Sequence, residues 1–341
     1  MKLFVQIPCL DEAGTLPLVL ATIPREVPGF DSVEVLVIDD GSTDGTAEVA
    51  RRLGVRHVVR HTRTMGLARS FRDGVDYALA HGADVVVNTD GDNQYPSERI
   101  GDLAAPILAG EADIVIADRQ TATIAHFSPF KKRMQRVGSR VVSAAAGTSL
   151  PDAASGFRAY SRGALLRLNV VTQFSYTMET IIQAGNKRLR ITSLPITTNP
   201  KTRESRLFRN IWQHMGRSGR AIVRSSIMFR PHLVFLTLAA VFFVAAAIPA
   251  VRFLVFWASG DPGGHVQSLV FAAAMLVGSL LCLALLVIAD LLRTNRTLVE
   301  ETLERVKTMQ YGVVPGGSGA AGDQASGPVA DGCRQGEDAT A

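Results

Sequence analysis

The sequence predicts an α/β catalytic domain built on a mainly parallel sheet, followed by two membrane-spanning helices. Three observations carry this: β-branched apolar runs alternating with helix-period segments up to residue 200 or so, acidic residues gathered where those runs end, and two long uncharged stretches further on. At 341 residues the chain can bury a sizeable core, which excludes a disulfide-stapled miniprotein.

Strands are expected at 3–7, 33–38, 55–59, 84–88 and 113–117, and helices at 15–23, 46–53, 66–81 and 99–109. Such alternation places helices on both faces of the sheet and ligands beyond the carboxyl ends of the strands. The apolar stretches at 233–257 and 268–289 are each about 20 residues, enough for roughly 30 Å of hydrocarbon. Near absence of charge favours spans over buried globular helices. A short Gly- and Pro-containing connector at 258–265 makes them an antiparallel hairpin, with both flanks on one side.

The five expected regions are therefore a catalytic domain (1–205), basic interfacial helices (206–230), the hairpin (231–292), an amphipathic helix (293–311) and a disordered small-residue tail (312–341). Residues 201–230 hold eight basic side chains and one acid, a net +7 that leaves −2 for the rest of a chain with a total of +5. With Arg293, Arg296, Arg305 and Lys307 after the hairpin, the positive-inside rule puts the catalytic domain and the C-terminus in the cytoplasm. The basic balance is thus a membrane-facing collar, and no nucleic-acid partner is expected. Cys9, Cys282 and Cys333 have neither metal-ligand nor disulfide spacing, and the N-terminus lacks the apolar core of a signal peptide.

The second expected strand runs into Asp39-Asp40-Gly41-Ser42-Thr43-Asp44-Gly45-Thr46. Paired acids at a strand end are costly without a partner, and Asp39 suits a nucleoside, whereas Asp44 or Thr46 suits a cap on the following helix. The fourth strand ends in Asp90-Gly91-Asp92-Asn93-Gln94, an oxygen-rich cluster fit for a hard cation such as Mg²⁺ or Mn²⁺, with Asp90, Asp92 and the Gln94 amide oxygen as ligands.

On these two motifs, and on the opening Ile7-Pro8-Cys9-Leu10-Asp11-Glu12, the chain resembles the family-two glycosyltransferases of the GT-A fold over residues 3–205. Leu10-Asp11 stands where that family usually has Tyr-Asn. Pro151-Asp152-Ala153-Ala154-Ser155-Gly156-Phe157-Arg158 is similar to the D-x-x-S-G-F-R signature of the polyprenyl-phosphate glycosyltransferases, the dolichol-phosphate mannose synthases and their bacterial relatives, some of which carry a C-terminal two-helix hairpin. Thr202-Arg203-Glu204-Ser205-Arg206 is similar to their R-x-G-x-S-K segment, with Glu204 in place of the glycine.

The resemblance implies inverting transfer of a sugar from a UDP- or GDP-linked donor to a polyprenyl phosphate on the cytoplasmic leaflet of the inner or plasma membrane. Pro8, Leu10, Glu12, Asp39, Asp90, Gly91, Arg203 and Arg206 would hold the nucleotide sugar, and Asp90, Asp92 and Gln94 the metal. Asp92 and Asp152 would be catalytic, Asp152 as a base or as the orienter of an acceptor-site arginine. The anionic lipid head needs cations; Arg119, just past a strand end, and Lys132, Arg133 and Arg136 on a basic helical segment supply them. A homo-oligomer is compatible with all of this. The competing readings are a glycosyltransferase acting on another lipid or polysaccharide acceptor, and a membrane-anchored scaffold with a degenerate catalytic domain. No Q-x-x-R-W element of a processive synthase is present, and the acidic motifs are intact.

Overall fold

The computed structural model describes residues 1–120, 150–171, 176–200, 231–259 and 266–312, with 138, 139, 142, 143 and 146–148 between the first two. The N-terminal unit runs β1 (Lys2–Cys9), α1 (Leu16–Thr22), β2 (Ser32–Asp39), α2 (Thr46–Arg52), β3 (His57–Arg60), α3 (Leu67–Ala80), β4 (Val85–Asn88), α4 (Ile100–Leu108) and β5 (Ile114–Asp118). It continues through β6 (Arg158–Ser161), α5 (Arg162–Arg167), α6 (Tyr176–Asn186) and β7 (Ile191–Pro195). The strands form one sheet in the order β3-β2-β1-β4-β6-β5-β7, in which β6 is antiparallel to both neighbours and every other pair is parallel.

The five expected strands and four expected helices are all present. β3 starts two residues late because the Val55 N–H bonds to the Ala50 carbonyl in the turn that closes α2, so Val55 is not available to the ladder. β6 and β7 were not foreseen. β6 is only four residues long and coincides with the end of the Ser-Gly-Phe-Arg motif.

Strand pleating sends alternate side chains to opposite faces, and each face is covered by helices. On one face Phe71, Val75 and Leu79 of α3 and Tyr176 and Ile181 of α6 pack over Phe4, Leu36, Ile38, Val86 and Tyr160. On the other, Leu16 and Val19 of α1 and Ile100, Leu103 and Ile107 of α4 cover Leu3, Val5, Ile7, Val37, Val85 and Val87. Burying each such side chain is worth about 1.5–3 kcal/mol. Gly74 lets α3 lie close to the sheet; a Cβ there would sit 2.6 Å from the Gln6 Oε1.

Two helices are long and apolar enough to cross a membrane: α7 (Pro231–Ala258) and α8 (Val266–Gly312), with mean hydropathy of 2.5 and 2.7 over their most apolar windows. They pack through small residues, Ala239 and Ala246 of α7 and Ala272, Ser279 and Cys282 of α8, and the Ser279 hydroxyl donates to the Ala239 carbonyl at 3.0 Å. Small residues allow this close backbone approach. Residues 293–311 do not form a separate element as expected. They extend the second apolar helix without a break, giving a 47-residue rod about 70 Å long.

Candidate active site

β1, β2, β4 and β5 all point the same way and finish along one edge of the sheet, so the acidic motifs meet there. Asp39 and Asp40 divide their tasks. Asp39 is fully buried; its Oδ1 accepts the Ser42 N–H at 2.8 Å and its Oδ2 lies 3.3 Å from Arg60 Nε. Asp40 instead accepts the Met65 and Gly66 N–H groups, both at 2.8 Å, and pairs with His61 Nδ1 at 2.7 Å, while His61 Nε2 reaches Asp73 at 3.1 Å. Asp40 therefore fixes the segment that enters α3. Gly41 is required by the same packing: it has φ 77°, and a Cβ would come within 2.7 Å of the Arg63 backbone.

Asp44 serves structure, as expected, though it does not itself cap α2, whose cap is Gly45. Its two oxygens take the Thr46 N–H at 3.0 Å and the Ala13 N–H at 2.9 Å, tying the β1 loop to the β2 loop. Glu12 stands in the loop that follows β1. It is 5% exposed, accepts from the Thr15 hydroxyl at 2.7 Å, and lies against Gly91, so it braces the two acidic loops. Pro8 is buried in β1 opposite Ile38, and Leu10 is exposed at the edge.

Asp90 follows β4, and a Cβ at Gly156 would stand 3.2 Å from both of its carboxylate oxygens; a glycine there keeps the carboxylate unobstructed. Asp92 Oδ2 accepts the Gln94 side-chain N–H at 2.8 Å and Oδ1 accepts the Gln94 backbone N–H at 3.1 Å. Gln94 thus presents its amide nitrogen to Asp92 and braces it. Among the described residues no group of three or more His, Cys, Asp or Glu side chains is gathered as a metal cage. Asp90 and Asp92 supply hard oxygen donors that fit Mg²⁺ or Mn²⁺ if a diphosphate completes the set.

A buried polar network supports this edge. Gln6 Nε2 donates to Asn88 Oδ1 at 3.0 Å, Asn88 Nδ2 donates to the Tyr176 hydroxyl at 2.8 Å and the Gly156 carbonyl at 3.0 Å, and the Tyr95 hydroxyl accepts the Gly156 N–H at 2.9 Å. Gly156 is held on both sides directly beside Asp90. Gly156→Ala is expected to displace the Asp90 carboxylate and lower transfer about tenfold while the thermal midpoint stays within a few degrees; assaying both quantities on one preparation checks this.

Asp152, 1% exposed, is held by Arg119 in a two-point ion pair, Nε to Oδ2 at 2.7 Å and Nη2 to Oδ1 at 3.0 Å. Burial alone would push its carboxyl up, but the hydrogen bonds and charge of Arg119 outweigh it and hold Asp152 below the usual carboxylate range. Burial likewise opposes the charge on Arg119, yet the carboxylates of Asp152 and Asp90 reinforce it. Among the described residues the Arg119 Nη1 has no hydrogen-bond partner, and the side chain is 19% exposed. Such a carboxylate is a poor base and a good orienter.

Arg158 is fully buried, and its guanidinium donates to the carbonyls of Ala153 (2.9 Å), Ser155 (2.7 Å) and Thr177 (2.8 Å) and to the Thr180 hydroxyl (3.0 Å). It pins the Asp152 loop to α6. Arg158→Met strands these acceptors and is expected to cost about 3 kcal/mol in a denaturant titration. Lys132, Arg133, Arg136, Arg203 and Arg206 lie outside the described residues. The chain leading towards Arg203 is anchored at the acidic loop, with the Asn199 N–H on the Gln94 carbonyl at 2.9 Å and its side chain on the Asn93 carbonyl at 3.1 Å. Sequence reasoning missed Gln6, Asn88, Tyr95, Tyr176 and Asn199. Gln6 and Asn88 were visible as polar residues inside apolar strand runs, which are stable only when partnered.

Residues 4–168 match the model of glycosyl transferase family 2. The undecaprenyl-phosphate mannosyltransferase of Micrococcus luteus is 30% identical over 207 residues, which are 58% of this chain and 83% of that protein. The chain belongs to glycosyl transferase family 2. The polyprenol monophosphomannose synthase of Mycolicibacterium smegmatis is 27% identical, covering 58% of this chain and 77% of that protein, and the dolichyl-phosphate hexose transferase of Haloferax volcanii is 31% identical, covering 58% and 82%. Glucosyl-3-phosphoglycerate synthase of Mycobacterium tuberculosis, solved with Mn²⁺, UDP-glucose and phosphoglyceric acid, shares the GT-A fold with a TM-score of 0.50 at 21% identity, over 66% of this chain and 78% of that one. This family-2 protein is a glycosyltransferase whose relatives are named for sugar transfer to polyprenyl phosphates.

Proposed function

We propose that this glycosyltransferase moves a sugar from a nucleotide-diphosphate donor to a polyprenyl monophosphate at the cytoplasmic face of a membrane, inverting the anomeric configuration. The observation that carries the reading is the Arg119–Asp152 pair beside Asp90, a fixed cation with one guanidinium edge left for an anion at the strand ends. The names of the M. luteus, M. smegmatis and H. volcanii relatives support a polyprenyl phosphate as that anion. The two apolar helices and the basic 201–230 segment support a membrane site with the catalytic domain on the cytoplasmic side.

Asp39 accepts hydrogen bonds from the nucleoside, and Arg203 and Arg206 close over the diphosphate. Asp90 and Asp92, the latter braced by Gln94, would hold Mg²⁺ or Mn²⁺, which when bound neutralises charge on the departing diphosphate. A phosphate oxygen of the acceptor forms the new bond to the anomeric carbon as the bond to the nucleotide diphosphate breaks on the opposite face. With a second pKa near 6, the phosphate is already mostly dianionic at neutral pH, and no side chain has to remove a proton. Arg119 orients it, Asp152 orients Arg119, and Lys132, Arg133 and Arg136 add positive charge at the lipid head. Positioning and charge neutralisation then supply most of the acceleration.

Screening UDP- and GDP-sugars against membranes that contain the overproduced protein, with mass spectrometry of the lipid extract, tests this. A polyprenyl-phosphate sugar that forms only with added divalent cation is the expected product. Donor consumption with no lipid product overturns the acceptor, and no consumption of any donor favours a scaffold.

A further inference from the structure

The C-terminal third of α8 is fastened to the α/β domain along one face. Lys187 Nζ reaches Glu300 Oε2 at 3.2 Å, and Arg296 Nε pairs with Glu300 Oε1 at 2.6 Å. One turn further on, Arg167 Nε lies 3.5 Å from Glu304 Oε1. Then Lys307 Nζ donates to the Leu168 carbonyl at 3.0 Å, and Arg162 Nη2 donates to the Tyr311 carbonyl. Positions 296, 300, 304, 307 and 311 recur every three or four residues and so share one helical face. Tyr311 also packs against the core to which α3 and α5 contribute.

These contacts avoid the active site. Ser161, the last residue of β6, pairs with Val85, the first of β4, so α5 begins at the sheet edge opposite Asp90. The same rod is embedded at its other end in the apolar hairpin, and no Gly or Pro interrupts it between Ser279 and Tyr311. From Ala289 to Glu300 the rise is about 16 Å, and to Tyr311 about 33 Å.

We propose that the C-terminal part of α8 is a strut that fixes the height and rotation of the catalytic domain over the bilayer, so that Arg167, Lys187, Glu300 and Glu304 are positioning residues for a membrane-embedded acceptor. The inference rests on the polyprenyl-phosphate reading above. A lipid phosphate in a bilayer has a fixed depth, and the pocket has to be brought to it. A soluble acceptor has no such constraint and diffuses to the pocket whatever its orientation.

The test uses the full-length protein in phosphatidylcholine–phosphatidylglycerol vesicles, with the donor found in the screen. Transfer is measured to a long-chain polyprenyl phosphate in the vesicle and to a short, water-soluble isoprenyl phosphate. A seven-residue helical insertion after Thr294 lifts the dock by about 10 Å at nearly constant rotation, and a two-residue insertion turns it by about 200°. Both are expected to lower transfer to the embedded acceptor at least about tenfold and to change transfer to the soluble one less than about twofold. Arg167→Glu with Lys187→Glu is expected to do the same, and adding Glu300→Lys with Glu304→Lys to restore it. Unchanged transfer to the embedded acceptor, or an equal fall on both acceptors, overturns the strut. A wild-type protein that uses neither acceptor overturns the acceptor reading itself and this inference with it.

Discussion

Asp152→Asn lowers sugar transfer about 100-fold, and by the same factor across the neutral and alkaline range. The asparagine keeps the shape of the side chain but replaces one acceptor oxygen with an NH₂ group. One of the two Arg119 donors then faces a donor, and the guanidinium loses the two-point registry set by bonds of 2.7 and 3.0 Å. The sign of the pH dependence follows from the direction of the shift. Burial raises the Asp152 carboxyl pKa and Arg119 lowers it by more, so the net displacement is downward. The pair is complete above the usual carboxylate range and is lost only as pH falls through the lowered value, in stability as well as in activity. An acid limb near neutrality therefore belongs to another group, the acceptor phosphate itself being the natural one. A general base would behave differently: the Asn variant would recover at high pH, where the acceptor needs no help. Single-turnover rates of both proteins across the neutral and alkaline range decide the matter, and such a recovery would sink the orienting role.

How much of this was legible beforehand depends on the kind of information each residue carries. Asp39, Asp90 and Asp92 could be placed because a strand's period fixes where it ends, and parallel strands put their ends on one edge. Arg119 and Asp152 were each singled out, with Asp152 allowed as the orienter of an arginine, but their pairing was not. They are 33 residues apart and meet only because β6 lies antiparallel on β5, with Ile116 opposite Arg158. The short strand that creates that neighbourhood was itself not visible in the apolar pattern. Arg158 is a harder case. Its partners are the carbonyls of Ala153, Ser155 and Thr177, which any residue type could provide, so no sequence pattern marks them. The break expected at 292 came from a change in polarity. Polarity decides what a helix faces, whereas backbone continuity is interrupted by residues such as Gly and Pro, which are absent there.

Asp92→Ala removes transfer, by about 10³-fold or more, and Gln94→Ala lowers it only about tenfold. The difference separates a ligand from its brace. Asp92 supplies negative oxygen to the cation proposed for this site, and nothing in Ala replaces it; the lost charge stabilisation falls on the bond-breaking step, so excess metal does not restore the rate. Gln94 acts on Asp92 through a side-chain N–H at 2.8 Å and a backbone N–H at 3.1 Å, and the alanine variant keeps the second of these. Asp92 then stays ionised near its place but is less firmly aimed, which raises the divalent-cation concentration needed for half-maximal rate while the rate at saturating metal recovers most of its value. A Mg²⁺ or Mn²⁺ titration of donor consumption in both variants reads the two effects apart. Were Gln94 instead the third oxygen ligand that its position after Asp90-Gly91-Asp92 first suggested, Gln94→Ala would fall with Asp92→Ala and metal would rescue neither. The observed direction of the amide, nitrogen towards the carboxylate, is what makes the milder outcome the expected one.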